Sequence, residues 1–128
     1  MGVESCKVEA MVPVSDMARA KEFYEGKLGL SGGHEAGDGG TTYQCGGGSA
    51  IHVYPSPDNA GKSGATVAAW GADDFDGLAD ELAGNGVEFE RYDSGPFQTN
   101  EKGIAEIEGV KIAWFKDPDG NTLAIGPP

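Results

Sequence analysis

Glu9 and His52 are the two side chains best suited to chemistry in this sequence. Both lie in short segments with the residue alternation of β-strands, KVEAMVPV and AIHVY. Imidazole titrates near neutral pH and a neighbouring carboxylate favours its charged form, so the pair is a candidate acid/base dyad. The same residues could instead contact a ligand. A purely structural role, with His52 bonded to a neighbour and Glu9 paired or solvated, stays open.

The supply of metal-binding side chains is small. The chain has two histidines, His34 and His52, whereas a catalytic metal site usually has three protein ligands. His34 stands in GGHEAG, which we expect to be a loop. The two cysteines, Cys6 and Cys45, do not form a disulfide framework, and with no visible export signal we expect free thiols in a reducing cytoplasm.

Aromatic residues form a second candidate set. Tyr54, Trp70 and Trp114 lie on or beside predicted strands, and Phe97 lies in a long loop. An apolar cleft with a few polar groups is typical of small-molecule sites. Strand alternation puts Trp114 and Phe115 on opposite faces, so one of the two faces the cleft. Small side chains that would leave room for a bulky planar guest are Val67, Ala69, Ala113 and Ala124.

Charge excludes several classes of partner. The 128 residues carry a formal net charge of −12, which argues against nucleic-acid backbones and anionic membrane surfaces. No apolar run approaches the length of a membrane span. We therefore expect a single cytoplasmic domain over residues 1–128 with no nucleic-acid or membrane partner. A cationic guest would gain from the negative field.

The elements that must position these residues occur twice. Asp16 and Asp74 are predicted N-caps of two helices, and the apolar stripe and terminal glycine after each cap coincide when the chain is shifted by 58 residues. Each half is predicted to run strand, helix, strand, strand, strand. The first repeat covers about 6–54, a linker covers 55–64, and the second repeat covers about 65–126. The predicted strands are 7–14, one near Leu30, 41–45, 49–54, 64–72, 87–92, 110–115 and 122–125, with a long loop over 95–109.

Three features together resemble one family. VPVSDMARAKEFYEGKLGL, the internal repeat and WFKDPDGNTLAI are similar to the vicinal oxygen chelate superfamily of glyoxalases, bleomycin-resistance proteins and extradiol dioxygenases. The resemblance covers about residues 6–126. It implies an α+β fold in which two βαβββ repeats form a curled mixed sheet around a cup-shaped cleft, with the helices outside. It also implies a homodimer.

The resemblance further implies four metal-ligand positions, two in each repeat. Transferred by position, they fall on Glu9, His52, Val67 (or Thr66 with one residue of slack) and Ala124. Valine and alanine side chains cannot bind a metal. We therefore expect no cofactor, and a divalent metal on Glu9 and His52 remains the alternative.

The expected function is a glyoxalase/bleomycin-resistance-like binding protein that sequesters a hydrophobic or cationic aromatic compound without metal chemistry, as antibiotic-resistance members do. One alternative is a lyase or isomerase that uses Glu9 and His52 as an acid/base pair or as part of an incomplete metal site. Another is a partner-binding module with a vestigial cup. The expected ligand-binding residues are Glu9, Met11, His52, Tyr54, Val67, Ala69, Trp70, Phe97, Trp114 and Ala124.

Overall fold

The computed structural model describes residues 2–128. This part of the chain contains two four-stranded sheets. The first helix, α1 Met17–Lys21, continues into a π-helical segment, Glu22–Lys27, and a short 3-10 turn covers Gly46–Gly48. In chain order the elements are β1 Glu9–Val14, α1 Met17–Lys21, β2 His34–Glu35, β3 Thr41–Gln44, β4 Ala50–Pro55, β5 Thr66–Gly71, α2 Phe75–Gly84, β6 Ile104–Ile107, β7 Val110–Lys116 and β8 Thr122–Gly126. No helix within this range is both long and apolar enough to cross a membrane.

The two sheets have the same topology. Their strand orders are β1-β4-β3-β2 and β5-β8-β7-β6. The first strand of each repeat runs parallel to the last, and the other pairs are antiparallel. Strands β1 and β5 lie side by side where the repeats meet, but the sheets do not close into a barrel. The predicted α+β fold of two βαβββ repeats is confirmed.

The two helices begin in the same way. The Asp16 side chain accepts a hydrogen bond from the backbone N–H of Arg19 at 3.1 Å, and the Asp74 side chain accepts one from Gly77 at 3.0 Å. Each carboxylate thus satisfies an amide that the first helical turn leaves without a partner. Both predicted caps are confirmed.

A single apolar core joins the repeats. The helix-facing sides of both sheets contribute to it. The π-helical segment after α1 also contacts the second repeat, because the Phe23 ring lies 6.4 Å from that of Phe115 on β7. The largest fully buried side chains include Tyr24, Tyr43, Ile51, Phe115 and Leu123. Because residues of both halves fill one core, neither sheet buries its apolar face without the other half.

The DPDGN turn locks the second repeat onto the first. Its Asp117 and Asn121 are buried. The Tyr24 hydroxyl donates to Asp117 Oδ2 at 2.8 Å, and Asn121 Nδ2 donates to the Pro13 carbonyl at 2.7 Å. The linker joins the same network, because the Gly61 amide donates to Asn121 Oδ1 at 3.0 Å. Burial and the nearby Asp117 carboxylate raise the pKa of Tyr24 far above its usual range.

Three predicted segments were wrong. Residues 87–92 form no strand and make one isolated bridge, Phe89 to Phe115. The neighbouring place on β7 is taken by β6, which lies inside the expected loop 95–109 and pairs with β7 through a tight turn at Glu108 and Gly109, both with positive φ. The second strand lies at His34–Glu35, in the expected loop, and not near Leu30.

Candidate functional site

Each sheet has an open face, which we define as the face turned away from the shared core. Strand pairing aligns Met11, His52 and Thr42 across the open face of the first sheet, and we call them the first row. The equivalent alignment on the second sheet, the second row, consists of Ala69, Ala124 and Trp114. Core residues alternate with them along every strand, as the two-residue period requires.

His52 is the centre of a polar relay in the first row. Its Nε2 lies 2.7 Å from Asp38 Oδ2 and its Nδ1 lies 2.7 Å from Thr42 Oγ1. The imidazole is almost fully buried, with 6% of its side chain exposed. The Tyr54 ring stacks parallel to it at a centroid distance of 5.9 Å. Both ring nitrogens are therefore engaged and the ring is held in one orientation.

Asp38 is the ionised end of this relay. The hydrogen bond from His52 and, next, that from the Gly40 backbone amide hold the pKa of its carboxyl below the usual range. Gly40 N–H donates to Oδ1 at 2.8 Å, which leaves Oδ2 for His52. The relay joins an exposed carboxylate to a half-buried hydroxyl through a buried ring, an order of groups that positions a base.

The structure does not bring Glu9 and His52 together. Glu9 is exposed and aligned with Ala50, two residues along the strand from the first row. Within residues 2–128 its side chain makes no hydrogen bond or ion pair. The carboxylate that contacts His52 is that of Asp38. The structure therefore pairs His52 with Asp38 and not with Glu9.

The side chains at the four family metal positions do not fit a divalent metal. Glu9 and His52 occupy two of them, but both His52 nitrogens are already hydrogen-bonded. The other two are Val67 and Ala124. A β-bulge lets Thr66 pair with Thr122 and packs Val67 against the core. Across the described residues no three His, Cys, Asp or Glu side chains cluster as a metal site would need.

Trp114 of the second row forms an aromatic cluster with Tyr92 and Phe97. The Trp114 ring lies 5.7 Å from Tyr92 at 68° and 6.2 Å from Phe97 at 33°. A short loop presents the two partners, because the Tyr92 and Thr99 backbones are joined by a hydrogen bond of 2.8 Å across its base. Phe97 is 47% exposed and Tyr92 is 38% exposed, so the cluster offers apolar area to solvent.

Trp70 lies on the other side of the second sheet. It follows Ala69 on β5, so it points toward the helices, and its ring stacks with that of Phe115 at 6.5 Å. There it borders an apolar cavity of about 200 Å³ together with Leu28 and Leu78. Trp70 is one of the expected ligand-binding residues, but it lies on the face opposite to Ala69 and Trp114, because neighbouring residues of a strand point to opposite sides.

The other expected site residues fall into two groups. Glu9, Met11, His52 and Tyr54 lie on the open face of the first sheet. Ala69, Ala124 and Trp114 lie on that of the second, with Phe97 over it. Asp38, Thr42 and Tyr92 escaped the sequence analysis. Asp38 lies in the glycine-rich GDGG segment, which has no periodicity, and only the hairpin register shows what it faces.

Family comparison agrees with this architecture. A family model described as the Glyoxalase/Bleomycin resistance protein/Dioxygenase superfamily matches residues 8–125. The chain belongs to this superfamily. The match covers both repeats, both open faces and the DPDGN turn. No curated protein matches the chain.

Solved structures share the superfamily fold. A glyoxalase/bleomycin resistance protein from Catenulispora acidiphila is 22% identical with a TM-score of 0.72, over 97% of this chain and 99% of that one. An antibiotic binding protein from a Streptomyces species is 23% identical with a TM-score of 0.67, over 100% and 99%. A lactoylglutathione lyase from Agrobacterium tumefaciens is 16% identical with a TM-score of 0.69, over 96% and 93%. Binding proteins and enzymes thus share this fold, and the residues of the site must decide between them.

Proposed function

We propose that this chain is a small-molecule-binding protein that holds a hydrophobic aromatic compound against its second row, without metal chemistry. The observation that carries the proposal is the exposed aromatic cluster around Trp114. Offset and edge-on ring contacts favour stacking of a further planar ring. Ala69 and Ala124 fill little space beside Trp114, so a flat molecule can approach the sheet there.

The charge around the cluster favours a cationic guest. Burial and then the neighbouring Glu90 carboxylate raise the pKa of Tyr92, so negative charge lies near the aromatic rings. The whole chain adds a net charge of −12. A cation over an aromatic face is attracted by the ring quadrupole as well as by these carboxylates.

A second copy of the chain would complete the cleft. The sheets do not close into a barrel, and Met11 in the first row and Tyr92 and Phe97 beside the second leave apolar area exposed. We propose a cytoplasmic homodimer in which the first row of one copy faces the second row of the other. Such an arrangement would enclose the ligand between a polar wall and an aromatic wall.

Titration with ethidium, a planar aromatic cation, tests the proposal. The chain has two tryptophans, so two indole N–H signals are expected in its NMR spectrum. We expect the Trp114 signal to shift on titration and the Trp70 signal to stay in place. Trp114→Ala should weaken binding roughly three- to tenfold, the contribution of one aromatic pair. Trp70→Phe is the control on the same sheet. Equal weakening by both variants, or no shift at Trp114 for ethidium or neutral phenanthridine, would contradict the proposal.

The polar relay favours an enzyme as a second candidate. A histidine held between a carboxylate and a hydroxyl is the arrangement of a general base. In a lyase or isomerase of this kind His52 would move the proton. His52→Gln should then abolish turnover of a bound compound while its affinity is kept. An unchanged compound after prolonged incubation with the wild-type protein would count against this candidate.

A further inference from the structure

We propose that Asp38 fixes the tautomer of His52 and thereby makes the Thr42 hydroxyl a hydrogen-bond acceptor toward the ligand. The proposal rests on the proposed function and deepens it. It assigns the ligand class as aromatic compounds that carry an O–H or N–H donor. Asp38 and His52 act as positioning residues, and Thr42 determines the specificity.

The Asp38 carboxylate determines where the His52 proton lies. An ionised carboxylate can only accept hydrogen bonds. The 2.7 Å contact between Asp38 Oδ2 and His52 Nε2 therefore requires the proton on Nε2. In a neutral imidazole the other nitrogen is then an acceptor. The only proton available for the 2.7 Å contact at Nδ1 is that of the Thr42 hydroxyl.

The polarity of Thr42 follows from this step. Its single O–H proton is given to His52, so only oxygen lone pairs remain for other contacts. Thr42 is half-buried and aligned with His52 on the open face. A ligand that reaches it finds an acceptor, with no donor to offer a carbonyl. Ligand groups with an O–H or N–H are favoured, and an ether or ketone at the same place is disfavoured.

The rigidity of the relay makes this polarity persistent. His52 is buried, and Tyr54 stacks along the imidazole face. The Gly40 amide can only donate, and it occupies Oδ1 of Asp38. The carboxylate is thus held at both oxygens, and the buried ring is held at both nitrogens.

The Gly40 amide also supplies a sharp test, Asp38→Asn. The amide oxygen of Asn must face the Gly40 N–H, which leaves its NH2 group toward His52 Nε2. The neutral ring must then carry its proton on Nδ1 and donate to Thr42, whose O–H turns to the ligand. A substitution of nearly equal shape therefore reverses the hydrogen-bond polarity of the site.

Nitrogen-15 NMR of the imidazole rings determines the tautomer of His52 in the absence of any ligand. The measurement is made as a pH series, and the tautomer is taken from the spectra in which each imidazole carries a single ring proton. His34→Gln removes the other histidine and assigns the signals. We expect Nε2–H at His52 in the wild type and Nδ1–H in Asp38→Asn. The Nδ1–H form in the wild type, or no change in Asp38→Asn, would overturn the proposal.

Calorimetry with β-naphthol and its methyl ether reads the specificity. We expect the wild type to bind the naphthol about three- to tenfold more tightly than the ether, the contribution of one hydrogen bond, and Asp38→Asn to lose or reverse that preference. Thr42→Val should bind both compounds equally, and Thr42→Ser should keep the preference. Equal affinities in the wild type would overturn the ligand assignment. Failure of both naphthalenes and ethidium to bind would count against the proposed function. The NMR measurement of the His52 tautomer needs no ligand and would still test the role of Asp38.

Discussion

The two open faces occupy equivalent positions and carry opposite chemistry. The first row is a relay of polar groups beside a methionine, whereas the second row is a tryptophan beside two alanines. A shift of 58 residues takes the β1 position to its β5 counterpart, and a shift of 72 residues relates the other two pairs. The equivalent pairs are Met11 and Ala69, His52 and Ala124, and Thr42 and Trp114.

The difference shows where the two repeats are constrained. Residues that build the frame match: Asp16 and Asp74 cap the helices, and most core-facing strand positions of both sheets are apolar. Residues on the open faces differ between the repeats, because a side chain there does not have to fit the shared core. Packing is thus kept in both halves, while binding chemistry is free to differ.

The largest difference in stability is expected between variants on the two faces of strand β7. Phe115→Ala removes a fully buried ring from the shared core and should cost about 3–5 kcal/mol of unfolding free energy. Trp114→Ala, the next residue but on the open face, should cost less than half as much. Urea unfolding followed by circular dichroism compares the two. Equal losses would show that the open face supports the fold as much as the core does.

The next largest difference in stability is expected between variants in the last turns of the two repeats. Asn121→Ala leaves the Gly61 amide and the Pro13 carbonyl without partners and should cost about 2–3 kcal/mol. In the first repeat, Ser49→Ala removes one exposed hydrogen bond to Gly46 and should cost about 0.5 kcal/mol or less. Thermal and urea unfolding test both variants. A comparable loss for Ser49→Ala would contradict the asymmetry.

A smaller effect should appear at alkaline pH. The folded state raises the pKa of Tyr24, so the neutral phenol is favoured by folding. The associated stability is fully present below the usual tyrosine pKa of about 10 and is lost as pH rises above it. Tyr24→Phe should cost about 1 kcal/mol at neutral pH and flatten this alkaline loss. Urea midpoints of the wild type and the variant, measured from neutral to alkaline pH, test this prediction. If stability falls with pH as steeply in Tyr24→Phe as in the wild type, Tyr24 is not the cause.

The smallest effect on stability is expected at Asp38. Its carboxylate is exposed, so water can replace it as the partner of His52. Asp38→Ala should leave the urea midpoint within error of the wild type while it alters the imidazole signals of His52. A clear fall in the midpoint would mean that the relay supports the first sheet and does not only orient a side chain.

Much of the frame could be predicted from the sequence. The caps, the strong strands and the DPDGN turn follow local rules of hydrogen bonding and alternation, and the structure confirms them. Strand β6 could not be found this way, since four residues in a polar segment give too short a pattern. The segment at Phe89 has strand composition but finds its pairing place taken by β6.

The site was less accessible to sequence reasoning. His52 and Trp114 could be placed on strands, but Asp38 and Tyr92 lie in irregular segments that only tertiary structure brings to them. The side on which Val67 lies depends on a bulge between Thr66 and Ala68, and one residue of register moves a side chain to the other face. Local periodicity therefore gives the frame and leaves the partners of each functional group undetermined.

The shared core has a consequence for how the chain can be divided. The linker around Lys62 is the exposed connection between two halves that each leave apolar residues uncovered when alone. Cut there, the two polypeptides should be poorly soluble separately and reassemble when refolded together. The protein is thus suited to serve as a split reporter, in which recovery of the Trp114 and His52 NMR signals reports that two fused partners have met.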